Sequence, residues 1–262
     1  MSQVRAAFNK ASDNYEENGF LQKEIATRLN AKLDIISTNP KVILDLGAGT
    51  GLLSRQLSKR FVDSQLICLD FAQNSLKNNP TPHKICANAN HLPLADNSVD
   101  IVISSLMMQW CPDLGQLFSE IHRVLKNDGL ILFSTFGPDT LKELKKSWSV
   151  VDNKTHVNTF TDMHDIGDQL LGAGFQSPVM EMETLTLTYQ TVTDLLRDLK
   201  AIGAQSVGNR SKSLTGKDKF KLMVEMYESF RKDGKLPATY EVVYGHAWRR
   251  TSEIGTINLS NS

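Results

Sequence analysis

Asp45, Gly47, Gly49 and Gly51 occupy alternate positions, and Asp70 follows 19 residues after the last of them. Glycine adopts positive φ at no steric cost and lets a ligand approach the main chain. A carboxylate about 20 residues further on is placed to grip ribose hydroxyls. The chemistry implied is capture of a nucleotide-like small molecule at a tight turn. A dinucleotide turn would read G-x-G-x-x-G. Here the sixth position is Leu52 counted from Gly47 and Ser54 counted from Gly49, which disfavours a dehydrogenase. The plainer reading of Asp70 is a cap for a helix over residues 72–76.

Residues of this kind need a strand before the turn and a helix after it. Val42, Ile43, Leu44 and Leu46 make residues 42–46 a strand buried on both faces, as in a parallel sheet. Residues 52–57 read as a helix whose free N–H groups face the ligand. Further apolar strands are expected at 66–70, 100–105 and 129–135. Their alternation with helical stretches predicts a doubly wound α/β sheet. Leu114, Leu117, Phe118, Ile121, Val124 and Leu125 recur at helical spacing between the last two strands, with Gly129 as the expected left-handed cap.

The flanking segments are of a different kind. Residues 1–38 read as two amphipathic helices, with Val4, Phe8 and Ala11 on one apolar face and Ile25, Leu29, Leu33 and Ile36 on another. Later, a helix over 162–171 closes at Gly172 or Gly174, and residues 178–189 alternate as a strand. Helices are expected over 191–204 and 217–232, and a last strand over 241–248. The predicted division is an N-terminal lid (1–38), a core (39–189 plus 237–250), a helical insertion on the substrate side (190–236) and a loose tail (251–262).

The chain of 262 residues is 40% hydrophobic, enough for a sizeable core. Lys+Arg and Asp+Glu balance at 29 each, so no global field recruits nucleic acid or membrane. Cys68, Cys86 and Cys111 have no C-x-x-C spacing, and neither a disulfide framework nor a metal site is expected. His156 and His164, eight apart, add no acidic partner at ligand spacing. Without an apolar leader or an apolar run of about 18 residues, a cytoplasmic setting is expected.

The D-x-G-x-G-x-G turn, Asp70, and a third strand followed by Met107-Met108-Gln109-Trp110 resemble the class I S-adenosylmethionine methyltransferases over about residues 40–136. That resemblance implies a Rossmann-like, mostly parallel seven-stranded sheet and S-adenosylmethionine as methyl donor. It puts the backbone of Gly47, Ala48, Gly49 and Gly51 against the methionine moiety and Asp45 near its ammonium. Asp70 would hold the ribose and Phe71 would flank the adenine. Asn88-Ala89 stands where superfamily members carry an acidic residue and a small one; the Asn oxygen can still accept from the adenine amino group. Ser104 and Ser105 would end the third strand facing the donor's carboxyl end.

Longer pieces are similar to a narrower family, the malonyl-(acyl-carrier protein) O-methyltransferases of biotin synthesis. They are Phe136-Gly137-Pro138-Asp139-Thr140-Leu141, the run from His156 through Asp168, the run from Leu236 through Trp248, and Phe8-Asn9-Lys10-Ala11-Ser12-Asp13-Asn14-Tyr15. The resemblance implies methylation of the free carboxylate of a malonyl thioester, on acyl carrier protein or coenzyme A, masking its charge for chain elongation. A carboxylate is ionised near neutral pH and needs no base. Catalysis should rest on alignment and on exclusion of water, with the N-terminal helices and residues 190–236 as lid. A cation must orient the carboxylate. Arg123, Arg197 and Arg210 are the candidates, with the hydroxyls of Tyr15 and Tyr244. Tyr244 and His246 are expected on opposite faces of the last strand, so that at most one reaches the site, and His246 reads better as structural. Lys212, Lys217, Lys219 and Lys221 are candidate docking cations for an acidic carrier, although lysines on a helix face are ordinarily solvated. Rival readings are a methyltransferase for another carboxylate or a quinone ring carbon, the latter needing a base not singled out here, and a silent donor-binding interaction protein.

Overall fold

Side-chain alternation along each strand distributes the apolar residues between two faces of a single sheet. The computed structural model describes residues 19–201 and 216–250. Its strands are β1 (Val42–Leu46), β2 (Gln65–Asp70), β3 (His83–Cys86), β4 (Val99–Ser105), β5 (Leu125–Phe136), β6 (Gln176–Tyr189) and β7 (Leu236–Arg249). They lie in the order β3-β2-β1-β4-β5-β7-β6. The first five run parallel, and β7 runs antiparallel between β5 and β6. This is the doubly wound arrangement that the alternation of strand and helix predicted, with the mostly parallel seven strands that the resemblance implied.

Eight helices flank the sheet among the described residues: α1 (Phe20–Ala31), α2 (Ser54–Arg60), α3 (Gln73–Asn78), α4 (Leu114–Val124), α5 (Lys142–Ser149), α6 (Met163–Gly172), α7 (Val192–Ala201) and α8 (Lys217–Glu228). Ile43, Ile101, Ile103, Leu130 and Leu132 pack in a core with Ile25 and Leu29 of α1 and Leu57 of α2. Their chain neighbours Leu44, Val102, Ile131 and Phe133 share a second core with Phe118 and Ile121 of α4 and Ile166 and Leu170 of α6. The strand period of two thus assigns each residue its layer. No helix among the described residues is long and apolar enough to cross a membrane.

Several local expectations need correction. β3 carries His83 and Lys84, mostly exposed on a sheet edge, so it lacks the apolar run that marks a buried strand. α5 was not anticipated because its apolar positions are few, Leu144 and Trp148 among three lysines. α4 runs into β5 with Asp128, not Gly129, in the left-handed region at φ 59°. Gly129 is needed for space instead, since a Cβ there would lie 2.7 Å from the Lys126 carbonyl. Val192, Leu195 and Leu199 of α7 and Met223 and Tyr227 of α8 are buried in the same core as α1. The expected first helix (Val4, Phe8, Ala11) and the tail 251–262 lie outside the described residues.

Candidate active site

β1 ends beneath the glycine turn, and the turn is tied to β2 by its own main chain. The N–H groups of Gly47 and Ala48 both donate to the Leu69 carbonyl, at 2.7 and 3.1 Å. Gly49 N–H donates to Asp70 Oδ2 at 2.9 Å, and Ala72 N–H to Asp70 Oδ1 at 2.7 Å. Three N–H groups expected to face a ligand are therefore committed within the protein, and α2 begins at Ser54, past the turn. What the turn presents is the Asp70 carboxylate, held by the main-chain N–H groups of Gly49, Ala72 and Phe71. Asp70 does not cap α3, whose N-cap is Ala72 without a side-chain hydrogen bond; its carboxylate braces the turn before it.

Gly47, at φ 79°, allows a close approach: a Cβ there would lie 2.4 Å from the Met107 side chain. Asp45 lies fully buried behind the turn and accepts from Ser54 Oγ at 2.5 Å. Burial pushes its pKa up to about 7, with the Asp70 charge adding and the Ser54 hydrogen bond opposing. Burial likewise raises Asp70, against its backbone hydrogen bonds. A buried, partly protonated carboxyl is what a cationic group would re-ionise.

Two connected spaces open over the turn. One is a cleft of about 740 Å³, with Asp70, Phe71, Asn88, Ala89, Ser105 and Trp110 among its walls. The other, about 380 Å³, is bounded by Asp45, Ala48, Thr50 and Gln22 of α1. They share Gly47, Gly49, Thr50 and Ser105. Gln22 Oε1 and Thr50 Oγ1 are buried and have no hydrogen-bond partner among the described residues. Buried polar atoms are normally satisfied, so an acceptor-rich lobe beside Asp45 fits the amino-acid end of a cationic donor. The broader, mainly apolar cleft fits its adenosine. Cys111, a thiol in the same wall, has its pKa pushed up to about 12 by burial. It stays protonated beside any electrophile.

The remaining candidates divide. Asn88 lines the cleft while its Oδ1 accepts from Asn90 N–H at 3.1 Å. Gly51 does not line it: at φ 92° it turns toward Asn79, 3.0 Å from where its Cβ would be. Ser104 is fully buried and donates to the Leu46 carbonyl at 2.7 Å, leaving its neighbour Ser105 at the cleft. Arg123 bonds to Glu120, Asp96 and the carbonyls of Leu92 and Leu94, so its fork is spent on structure. Arg197 pairs with Asp194 on an exposed face of α7. Tyr15 and Arg210 lie outside the described residues.

Tyr244 and His246 share a face rather than opposing one another, because residues two apart on a strand point the same way. Lys32 lies 4.6 Å over the Tyr244 ring and also depresses His246, whose main perturbation is burial. Tyr244 donates to Glu183 Oε1 at 2.5 Å, in a groove with Arg28 and Glu181 away from the glycine turn. Gln22 was missed. Its signal was present: a polar residue in the apolar stripe Gln22, Ile25, Ala26, Leu29, all buried in α1.

A family model described as a methyltransferase domain matches residues 44–133. A malonyl-(acyl-carrier protein) O-methyltransferase of Gallionella capsiferriformans (strain ES-2) is 47% identical over 260 residues, covering 94% of this chain and 90% of the relative. One from Methylovorus sp. (strain MP688) is 44% identical, covering 97% and 90%. Among solved structures, the YcgJ protein of a Bacillus species superposes with a TM-score of 0.61 at 14% identity, over 86% of this chain and 99% of that one. Phosphoethanolamine N-methyltransferase 2 of Haemonchus contortus, solved with S-adenosyl-L-methionine, gives 0.54 at 19%, over 86% and 53%. The two structures speak to the fold alone, whereas the relatives match over nine-tenths or more of both chains, well beyond the donor-binding core. The chain belongs to the malonyl-(acyl-carrier protein) O-methyltransferase family of S-adenosylmethionine-dependent methyltransferases.

Proposed function

We propose that this enzyme methylates the free carboxylate of a malonyl thioester carried by acyl carrier protein. The observation that carries the reading is a similarity that extends through the segments over the carboxyl edge of the sheet, where an acceptor must lie. Asp45, Thr50 and Gln22 would hold the amino-acid end of S-adenosylmethionine, Asp70 the ribose, and Phe71 with Asn88 and Ala89 the adenine. When bound, the donor supplies a methyl on a positive sulfur; a carboxylate oxygen forms the new bond as the carbon–sulfur pair leaves on sulfur, and no proton moves. The protein's own contribution is alignment and dryness. α1 covers the donor lobe, while α5 packs on β7, α8 on α5 and α7 on β6. Lys217, Lys219 and Lys221 of α8, together with Lys212, are proposed to meet an acidic carrier. Incubation with S-adenosylmethionine and malonyl thioester, followed by mass spectrometry, tests the reading. The malonyl methyl ester is expected; its absence from folded, donor-binding enzyme rejects the substrate.

A further inference from the structure

The malonyl reading requires a cation for the acceptor's free carboxylate, and the fold directs Arg123 and Arg197 elsewhere, while Arg210 lies outside the described residues. We propose that Lys145 is that cation, an inference that rests on the malonyl reading. Its place is fixed by how α5 is entered. Leu141, buried at the start of the helix, takes a left-handed φ of 56°, which bulky side chains avoid. Its N–H donates to the Thr239 carbonyl at 2.6 Å. One turn on, the buried Glu143 carboxylate accepts from Thr239 N–H at 3.0 Å and from the Thr239 hydroxyl. A strained turn held by a buried side-chain pair is the kind of device found where function dictates position.

From this anchored helix the Lys145 ammonium reaches back to the end of β5. Nζ donates to the Pro138 carbonyl at 2.7 Å and lies 5.2 Å from the centre of the Phe160 ring. Phe160 packs on Phe136, the last residue of β5, with centroids 5.6 Å apart. The adjacent Thr135 hydroxyl lies 3.2 Å from Gln109, in the segment that follows the cleft wall at Met107. The ammonium therefore sits at the strand end next to the one that borders the donor cleft.

The chemistry of the group fits a carboxylate. Half-burial makes the charged lysine less favourable, against the charges of Asp139 and Glu241. Glu241 is itself engaged by the Asp139 N–H at 2.6 Å. Among the described residues Lys145 forms no ion pair, and one carbonyl occupies one of its three donors. A point charge, unlike an arginine fork, can hold a single oxygen. The second oxygen is then left to accept the methyl.

The test uses the full chain and three probes: malonyl-coenzyme A, its methyl ester, and S-adenosylhomocysteine. On enzyme saturated with S-adenosylhomocysteine, the acid should bind about 10-fold or more tightly than the ester, the range for hydrogen bonds to charged groups. In K145M that preference should collapse, and kcat/KM should fall about 10- to 100-fold. K145R should recover most of the acid-over-ester preference but little of kcat/KM, because the fork engages both oxygens, with S-adenosylhomocysteine affinity unchanged throughout. An undiminished acid-over-ester preference in K145M overturns the proposal, as does a K145R whose preference is as impaired as that of K145M. Should K145M fail to bind S-adenosylhomocysteine, K145Q takes its place under the same criteria. Wild-type enzyme inert toward malonyl thioesters overturns the malonyl reading and this inference together, whereas active wild type with an indifferent K145M overturns only the latter.

Discussion

The two halves of the sheet hold their sites by different means. On the β2–β1–β4 side, the glycine turn is fixed by main-chain amides on Leu69 and Asp70, groups within 26 residues of one another. On the β5–β7 side, the working surfaces are joined through side chains, some distant in sequence, as Glu143 to Thr239 and Lys219 to Asp152 at 2.9 Å, and some near, as Tyr189 to Asp198 at 2.6 Å and Tyr227 to the Pro237 carbonyl at 2.9 Å. Main-chain geometry tolerates many sequences, so a donor site of this kind suits any acceptor. Side-chain networks do not, and the β5–β7 half is accordingly the one proposed to carry substrate choice.

The comparison breaks most readily at the turn. Gly47→Ala puts a methyl into Met107 at a left-handed φ and should cost about 2–4 kcal/mol, read by denaturant melts, with donor binding lost as well. Asp70→Ala should weaken S-adenosylmethionine by about 1–3 kcal/mol; unchanged affinity in calorimetry would show that the carboxylate only braces Gly49. Asp45 sharpens the picture through pH. Its pKa stands at about 7 in the native protein against 3.8 when exposed, so the native state binds the extra proton between those values. Stability of the donor-free protein should fall as pH rises through that window. Asp45→Asn should flatten the fall, a difference on the order of 1–3 kcal/mol above pH 7; parallel profiles for the two proteins would refute it.

Smaller effects follow. Gln22→Leu removes an orphaned acceptor, and should stabilise the donor-free protein while weakening the donor by about 0.5–1.5 kcal/mol. Thermal melts with and without ligand would show the opposite signs, and a shift of the same sign in both would contradict the lobe assignment. Arg197→Ala, on the exposed face of α7, should change stability by less than about 0.5 kcal/mol and leave kcat/KM unaltered. A marked loss of turnover there would put the acceptor on the far side of α7. Deleting residues 190–236 would be a poor substitute, because Leu195, Leu199 and Tyr227 belong to the main core.

How legible each half was follows from this difference. The strands from β1 to β5, apart from the polar β3, announced themselves as apolar runs, and Asp70 by its distance from the glycines. On the other side α5 passed unnoticed, since three of its eight residues are lysines. Arg123 looked available because a sequence shows a guanidinium but not the carbonyls of Leu92 and Leu94 that fold against it.

By itself, then, the chain determined the order of strands and helices, the glycine turn and the family, because φ preferences and the periods of strand and helix are local properties of residue types. Tertiary structure alone decided that Ser105 rather than Ser104 borders the cleft, that Gln22 closes its inner lobe, and that Lys145 rather than Arg123 stands at the end of β5. Those outcomes depend on which side chains meet across the folded chain, and packing settles that only once every layer is in place.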